Sequence, residues 1–125
     1  MKIAQVREKV SHLNVLYVED EAAIREDGAL FFQKFFASVL PVENGEDAIS
    51  QLEKRSFDLV ITDLKMPKIG GDALFDYIKE RFSSLPVIVI SGLSSGDGVL
   101  LTKYPYRLEK PWNIDSFVDL LDSMF

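Results

Sequence analysis

Short apolar runs alternate with amphipathic stretches along the chain, and this alternation predicts the fold. Runs rich in β-branched and aromatic residues predict five strands, over residues 14–18, 38–42, 57–62, 86–90 and 106–109. Apolar residues at helical spacing predict helices over 22–36, 46–54, 72–82 and after an expected N-cap at Asn113. Alternation of this kind indicates an α/β domain, a doubly wound sheet of five parallel strands with helices on both faces.

Two of the predicted helices carry broad apolar faces. In the helix over 22–36, Ile24, Phe31 and Phe35 share one side, which Phe32 and Phe36 widen. We expect this side to face the core, with a partner-binding surface as the alternative. The last helix is expected to direct four apolar residues inward, Ile114, Phe117, Leu120 and Leu121.

Two segments lie outside the regular alternation. Residues 1–13 carry an apolar stripe of Ile3, Val6, Val10 and Leu13, which predicts an amphipathic helical extension before the domain of residues 14–125. A helix this short is marginal alone, so it packs back on the domain or docks elsewhere, through self-association or on an effector domain. Between the last two strands, Gly96, Asp97 and Gly98 disfavour helix, which predicts a short or degenerate fourth helix there.

Composition narrows the function classes. The 125 residues suit one domain, and the chain has no run of about 18 apolar residues and no signal-type segment, so we expect a cytoplasmic protein without a membrane span. The absence of cysteine and the single histidine exclude thiolate chemistry and a histidine-built metal site. A net charge of −6, from 20 acids and 14 bases, argues against direct nucleic-acid binding.

Chemically reactive side chains follow four of the predicted strands. Glu19 and Asp20 follow the first, Asp63 ends the third, Ser91 follows the fourth and Lys110 the fifth. Because the carboxyl ends of parallel strands meet at one edge of a sheet, we expect these residues to lie together.

Such a cluster favours a hard cation. Two carboxylates about 4 Å apart repel by roughly 4 kcal/mol at an effective dielectric near 20, so three of them need compensating charge. Oxygen ligands without histidine or cysteine select an ion such as Mg²⁺. Carboxylates, Mg²⁺, a hydroxyl and a lysine together are what phosphoryl transfer to an aspartate requires.

The sequence resembles the receiver domain of two-component response regulators over residues 14–125. The resemblance rests on four stretches, Val15–Glu21, Asp58–Gly71 with its Asp63-Leu64-Lys65-Met66-Pro67 run, Val87–Gly92 and Lys110-Pro111-Trp112. It implies the flavodoxin-like strand order 2-1-3-4-5 and a cis Lys110–Pro111 peptide.

The resemblance also implies roles for the site residues. Asp63 would be the phosphoacceptor, Glu19 and Asp20 the Mg²⁺ carboxylates, and the Lys65 backbone carbonyl a further metal ligand. Ser91 would be the switch hydroxyl, and Lys110 would pair with the phosphoryl group. The protein would then be a bacterial phosphorelay module that receives its phosphoryl group from a histidine kinase or phosphotransfer protein. It would catalyse only its own phosphorylation and dephosphorylation.

Two departures from the family affect signal output: the segment between Ser91 and Lys110 is shorter than is usual in the family, and the switch position is not aromatic. The family places an aromatic switch residue three positions before the lysine, where this chain has Arg107. Tyr106 should face the opposite side of a regular strand, unless Pro105 introduces a bulge. We therefore expect a non-standard switch.

Three other functions compete with phosphorylation-based signalling. The first is a receiver-like interaction module that no longer signals by phosphate. The second, an aspartyl-phosphate hydrolase of the haloacid-dehalogenase type, requires an aspartate where Lys65 stands. The third, nucleotide binding, is disfavoured by the acids after the first strand, which would repel phosphate.

Overall fold

A five-stranded sheet with all strands parallel forms the centre of the structure, a computed structural model that describes residues 2–92 and 103–125. Its strands are β1 (Asn14–Val18), β2 (Ser38–Val42), β3 (Leu59–Asp63), β4 (Val87–Gly92) and β5 (Arg107–Lys110). The described helices are α1 (Lys2–Val10), α2 (Ala22–Phe32), α3 (Gly45–Lys54), α4 (Gly71–Arg81) and α5 (Ile114–Met124). The strand order β2-β1-β3-β4-β5 confirms the predicted topology.

The sheet separates two apolar cores, because neighbouring residues of a strand point to opposite faces. In β1, Val15 and Tyr17 belong to the core beneath α1, α2 and α5, whereas Leu16 and Val18 belong to the core beneath α3 and α4. All five residues of β3 are buried. This burial on both faces explains why β3 begins as a continuous apolar run in the sequence.

Helix α1 packs back on the rest of the chain. Val6 and Val10 have no exposed surface and belong to the core beneath α2 and α5. Lys2 and Lys9 form ion pairs with Asp122 at the outer edge of α5. These pairs are exposed and contribute little, so the buried valines, worth about 1.5–3 kcal/mol each, hold the helix in place. The division into an extension and a domain stays a prediction.

Three details of the predicted helices are wrong. Helix α2 ends at Phe32 and not at Phe36. The chain turns there, so Phe35 and Phe36 are buried but do not belong to the helix. Ile24 is 43% exposed because it lines an open cavity instead of the core. Ile114 is 41% exposed because it begins α5, directly after the cap, and no element of residues 2–92 and 103–125 covers it fully.

The expected capping of α5 is confirmed. Asn113 accepts a hydrogen bond from the Ser116 N–H at 2.9 Å, and its own N–H donates to the Ser116 hydroxyl at 3.2 Å. This reciprocal pair satisfies two backbone donors and fixes where the helix begins. The cap thus begins α5 at Ile114, a few residues after Pro111. The Lys110–Pro111 peptide is cis, as expected.

The predicted short fourth helix falls on residues 93–102, which lie outside the described residues. No helix in the described ranges is long and apolar enough to cross a bilayer.

Candidate functional site

Three carboxylates meet at the carboxyl edge of the sheet. Three carboxylate oxygens lie within 4.8 Å of one another, one each from Glu19, Asp20 and Asp63. Glu19 is 3% exposed and Asp63 is 7% exposed, whereas Asp20 lies nearer to solvent. The sequence prediction that these residues come together is therefore correct.

Backbone hydrogen bonds fix the turn that carries the first two acids. The Glu19 N–H donates to the Val42 carbonyl at 3.1 Å, so β2 continues to hold the chain one residue beyond β1. The Glu21 N–H donates to the Glu19 carboxylate at 3.1 Å. The guanidinium of Arg25 donates to the carbonyl oxygens of both Glu19, at 2.8 Å, and Asp20, at 3.3 Å.

Asp63 is held through both of its carboxylate oxygens. The Leu64 N–H donates to Oδ1 at 2.9 Å, and Lys110 Nζ donates to Oδ2 at 3.1 Å. Lys110 reaches the site from the end of β5, two strands away, which is possible because the parallel strands end at one edge. The lysine supplies one positive charge against three carboxylates.

Burial and the neighbouring negative charges both affect the pKa of Glu19. Burial raises the pKa of Glu19; the Glu21 N–H lowers it, and the neighbouring Asp63 and Asp20 raise it further. A positive charge bound beside Glu19 would offset the effect of these neighbouring carboxylates. The donor set is composed of oxygen atoms, which fits Mg²⁺ and not a softer ion.

The loop from β3 to α4 closes tightly under the site. The Gly71 N–H donates to the Leu64 carbonyl at 2.9 Å, and a side chain at Gly71 would overlap the Asp63 carbonyl oxygen. Lys68 adopts a left-handed φ of 62°, which is strained for a residue with a Cβ. Lys65 lies in this loop, and the role of its carbonyl as a metal ligand stays a prediction.

Ser91 lies beside the cluster at the end of β4. It is 5% exposed, and its hydroxyl has no hydrogen-bond partner within the described ranges. The neighbouring Ile90 pairs in register with Asp63, so Ser91 lies one residue further along the strand that adjoins the phosphoacceptor candidate. A buried hydroxyl without a partner is costly, which makes it a free donor for a group bound at the site.

An aromatic cavity of about 280 Å³ opens next to Lys110. Tyr17, Phe31 and Trp112 line it together with Gly28. A side chain at Gly28 would overlap the Tyr17 hydroxyl and come within 2.7 Å of Cζ, so this glycine makes room for the ring. The sequence interpretation did not identify this pairing, because no local pattern links residues eleven positions apart.

Side chains at the start of β5 and directly before it contact different parts of the fold. Arg107 is exposed and donates to the Tyr104 carbonyl at 2.9 Å, while Tyr106 is partly buried against the core beneath α2. Tyr104 is 1% exposed, on the other face of the sheet, and its hydroxyl donates to Asp72 of α4 at 2.7 Å. Lys103 donates to the same carboxylate at 2.6 Å. The chain is thus fastened to α4 directly before β5.

Comparison with known proteins agrees with this geometry. The family model for the response regulator receiver domain matches residues 15–121. A response regulator of Rickettsia felis, named NtrX-like, is 32% identical over 118 residues, which cover 90% of this chain and 25% of the relative. The DNA-binding transcriptional regulator NtrC of Klebsiella pneumoniae is 30% identical over 109 residues, covering 84% of this chain and 23% of that protein. The chain spans about a quarter or less of the length of these relatives.

Solved structures show the same fold. The response regulator TrrA of Thermotoga maritima, in complex with Mg²⁺-BeF, has a TM-score of 0.79 and 25% identity, covering 90% of this chain and 99% of that chain. A response regulator receiver protein from Pseudomonas putida has a TM-score of 0.77 and 25% identity, covering 91% and 98%.

Proposed function

The chain belongs to the response regulator receiver domain family, and from this membership we propose that Asp63 accepts a phosphoryl group from a histidine kinase or phosphotransfer protein. The observation that carries the proposal is the convergence of Glu19, Asp20 and Asp63 within 4.8 Å, with Lys110 bonded to Asp63. A solvated or capping aspartate would not need two further acids and a lysine around it. The phosphorylated protein would then change its contacts with a partner.

Each residue has a distinct task in this proposal. A carboxylate oxygen of Asp63 is the nucleophile. The Lys110 ammonium, which is bonded to Asp63, would then pair with the transferred phosphoryl group. Ser91, whose hydroxyl has no partner in the described part of the chain, would donate a hydrogen bond to that group.

Glu19, Asp20, Asp63 and the Lys65 carbonyl would hold Mg²⁺. When bound, the metal supplies positive charge against the phosphoryl oxygens. The all-oxygen donor set and the convergence of three carboxylate oxygens within 4.8 Å support this assignment.

We propose that phosphorylation is read out by a non-standard switch. Arg107 stands three positions before Lys110 and is exposed, so it offers no ring to move inward. Tyr104 is buried on the face of the sheet opposite to Tyr106, and its hydroxyl donates to Asp72. This bond connects the segment before β5 to α4. Structures of the free and phosphorylated forms test this: an inward swing of Tyr106 together with tightening of Ser91 would contradict it.

Phosphodonor labelling tests the main proposal. The purified protein is treated with acetyl phosphate, with and without Mg²⁺, and the intact mass is measured. We expect one added phosphoryl group only with Mg²⁺, and none in Asp63→Asn. The matched control Asp115→Asn, which removes an exposed acid at the start of α5, should be labelled like the unmodified protein.

A second function, a receiver-like interaction module without phosphate chemistry, is favoured by the exposed Arg107 at the switch position. It predicts that the unmodified protein is not labelled, even at high Mg²⁺, while it still binds a partner. Labelling that requires Asp63 would exclude it.

The setting of this domain is also part of the proposal. Its similarity to bacterial regulators supports a cytoplasmic location in a bacterium, in a longer protein with an effector domain or as a separate regulator. Self-association or docking through the N-terminal segment would have to use the outer polar face of α1, because Val6 and Val10 are covered by the chain itself.

A further inference from the structure

Arg25 connects the carbonyl groups of the two residues that bear the metal-directed acids. Its Nη1 donates to the Glu19 oxygen at 2.8 Å and to the Asp20 oxygen at 3.3 Å. Its backbone N–H donates to the Glu21 carbonyl at 2.8 Å, in the first turn of α2. One half-buried side chain therefore ties the start of α2 back to the turn that precedes it.

The sheet supports this turn on one side only, because β2 bonds the Glu19 N–H while β3 has no further pairing with the chain there. The pairing of β1 with β3 ends at Val18 and Thr62, so the Glu19 and Asp20 carbonyls lie beyond that ladder. Their side chains meanwhile repel the carboxylate of Asp63. A guanidinium, which is planar and permanently charged, suits this position because it bonds two acceptors in a fixed arrangement.

Arg25 brings positive charge without occupying the carboxylates. Within residues 2–92 and 103–125 it forms no ion pair with Glu19 or Asp20, since its hydrogen bonds go to their backbone oxygens. Lys110 does the opposite and bonds a carboxylate oxygen of Asp63 directly. Arg25 therefore takes no carboxylate oxygen of Glu19 or Asp20, and the Glu19 oxygen Oε2 accepts instead from the Glu21 N–H.

We propose that Arg25 is a positioning residue, which holds the Glu19–Asp20 turn so that both carboxylates are directed at one divalent cation. The inference rests on the proposed function, because it takes that cation to be Mg²⁺. Arg25 itself contacts neither the cation nor the phosphoryl group.

Two effects of opposite sign make the proposal testable. The charge of Arg25 repels a nearby cation, so if charge alone mattered, Arg25→Ala would bind Mg²⁺ more tightly. If positioning dominates, Arg25→Ala binds Mg²⁺ about tenfold more weakly, which is typical when a residue supporting metal ligands is lost. Arg25→Lys keeps the charge and one donor, and should recover part of the affinity.

Calorimetric titration of the full chain with MgCl₂ measures the affinity directly. Trp112, the single tryptophan, lines the cavity beside Glu19 and offers a fluorescence readout of the same titration. The control Lys34→Ala removes an equal charge at an exposed residue just beyond the end of α2 and should leave the affinity unchanged. The thermal midpoint without Mg²⁺ is measured for every variant, and if Arg25→Ala is unstable, Arg25→Gln is titrated against the same expectation.

Acetyl phosphate labelling separates positioning from a general loss of structure. In Arg25→Ala, the Mg²⁺ concentration for half-maximal labelling should rise about tenfold, while labelling at saturating Mg²⁺ approaches that of the unmodified protein. Unchanged or tighter Mg²⁺ binding in this variant, or an equal loss in Lys34→Ala, overturns the inference alone. If the unmodified protein binds no Mg²⁺, the inference and the metal part of the proposed function are both overturned.

Discussion

Replacing Tyr104 by phenylalanine removes one hydroxyl and keeps a ring of the same shape. The ring packs edge-on against Phe75, with centroids 4.9 Å apart and an angle of 85°, and phenylalanine preserves this contact. What is lost is the hydrogen bond of 2.7 Å from the hydroxyl to the Asp72 carboxylate. The substitution therefore isolates the bond that fastens the segment before β5 to α4.

The expected loss follows from the surroundings of that bond. A hydrogen bond to a charged group contributes about 1.5–3 kcal/mol when it is shielded from water. The Asp72 side chain is 58% exposed and stays paired with Lys103, so solvent screens part of this value. We expect Tyr104→Phe to lower the free energy of unfolding by about 1 kcal/mol and the thermal midpoint by about 4 °C.

The loss should depend on pH in a defined window. Hydrogen bonds from Lys103 and Tyr104 lower the pKa of Asp72 below its ordinary 3.8, so the stability it contributes is present above that pH and is lost as pH falls through the depressed value. Burial, and then the bond to Asp72, raise the pKa of Tyr104 from 10.0 to about 12, so its contribution disappears as pH rises between these values. The difference between the two proteins should be constant from about pH 5 to 9 and shrink outside this range.

Urea unfolding followed by circular dichroism measures this difference. Tyr77→Phe is the matched control, because that hydroxyl reaches Glu53 only at 3.4 Å and on the surface. We expect the control to change the free energy of unfolding by less than about 0.5 kcal/mol. The reasoning is refuted if Tyr104→Phe is no more destabilising than Tyr77→Phe, or if its effect does not shrink as the pH is lowered progressively below 3.8.

Three further substitutions test backbone strain and packing, each by chemical denaturation. Lys68→Gly should stabilise by about 0.5–1 kcal/mol, because glycine adopts the φ of 62° without strain. Gly28→Ala should destabilise by about 2 kcal/mol, because the added methyl overlaps Tyr17; in a Tyr17→Leu background it should be neutral or stabilising. Val6→Ala should cost about 2 kcal/mol, and the exposed Gln5→Ala nothing measurable.

Each of these three substitutions has an outcome that would contradict its prediction. A destabilised Lys68→Gly would mean that the loop gains more from its side chain than it loses to strain. If Gly28→Ala destabilises the unmodified protein and the Tyr17→Leu protein equally, the lost stability comes from the helix backbone and not from overlap with Tyr17. A silent Val6→Ala would show that α1 is dispensable for the fold.

Local patterns were sufficient for the sheet and for the acid cluster. The bounds of β1 and β2 agree with the prediction because both strands are apolar runs ended by polar residues. Glu19, Asp20 and Asp63 come together because strand ends in a parallel sheet share an edge, and that rule needs no knowledge of side-chain packing.

Features that depend on tertiary packing were not predictable. Periodicity placed Ile24 and Ile114 on apolar faces, yet it does not reveal which sector of a helix another element covers. The burial of Tyr104 was not predictable because this residue precedes β5, where strand alternation does not apply. The role of Arg25 depends on how the first turn of α2 folds back over two carbonyls, which spacing alone does not specify.

The packing of α1 beside α5 also brings the two ends of the described chain together. Lys2 pairs with Asp119 and Asp122, so residue 2 lies next to the last turn of the chain. A short linker from residue 125 to residue 2, with new ends opened between the exposed Ser83 and Ser84, would give a circular permutant. Such a protein would keep every strand register while placing the Lys110 segment ahead of Asp63 in the order of synthesis.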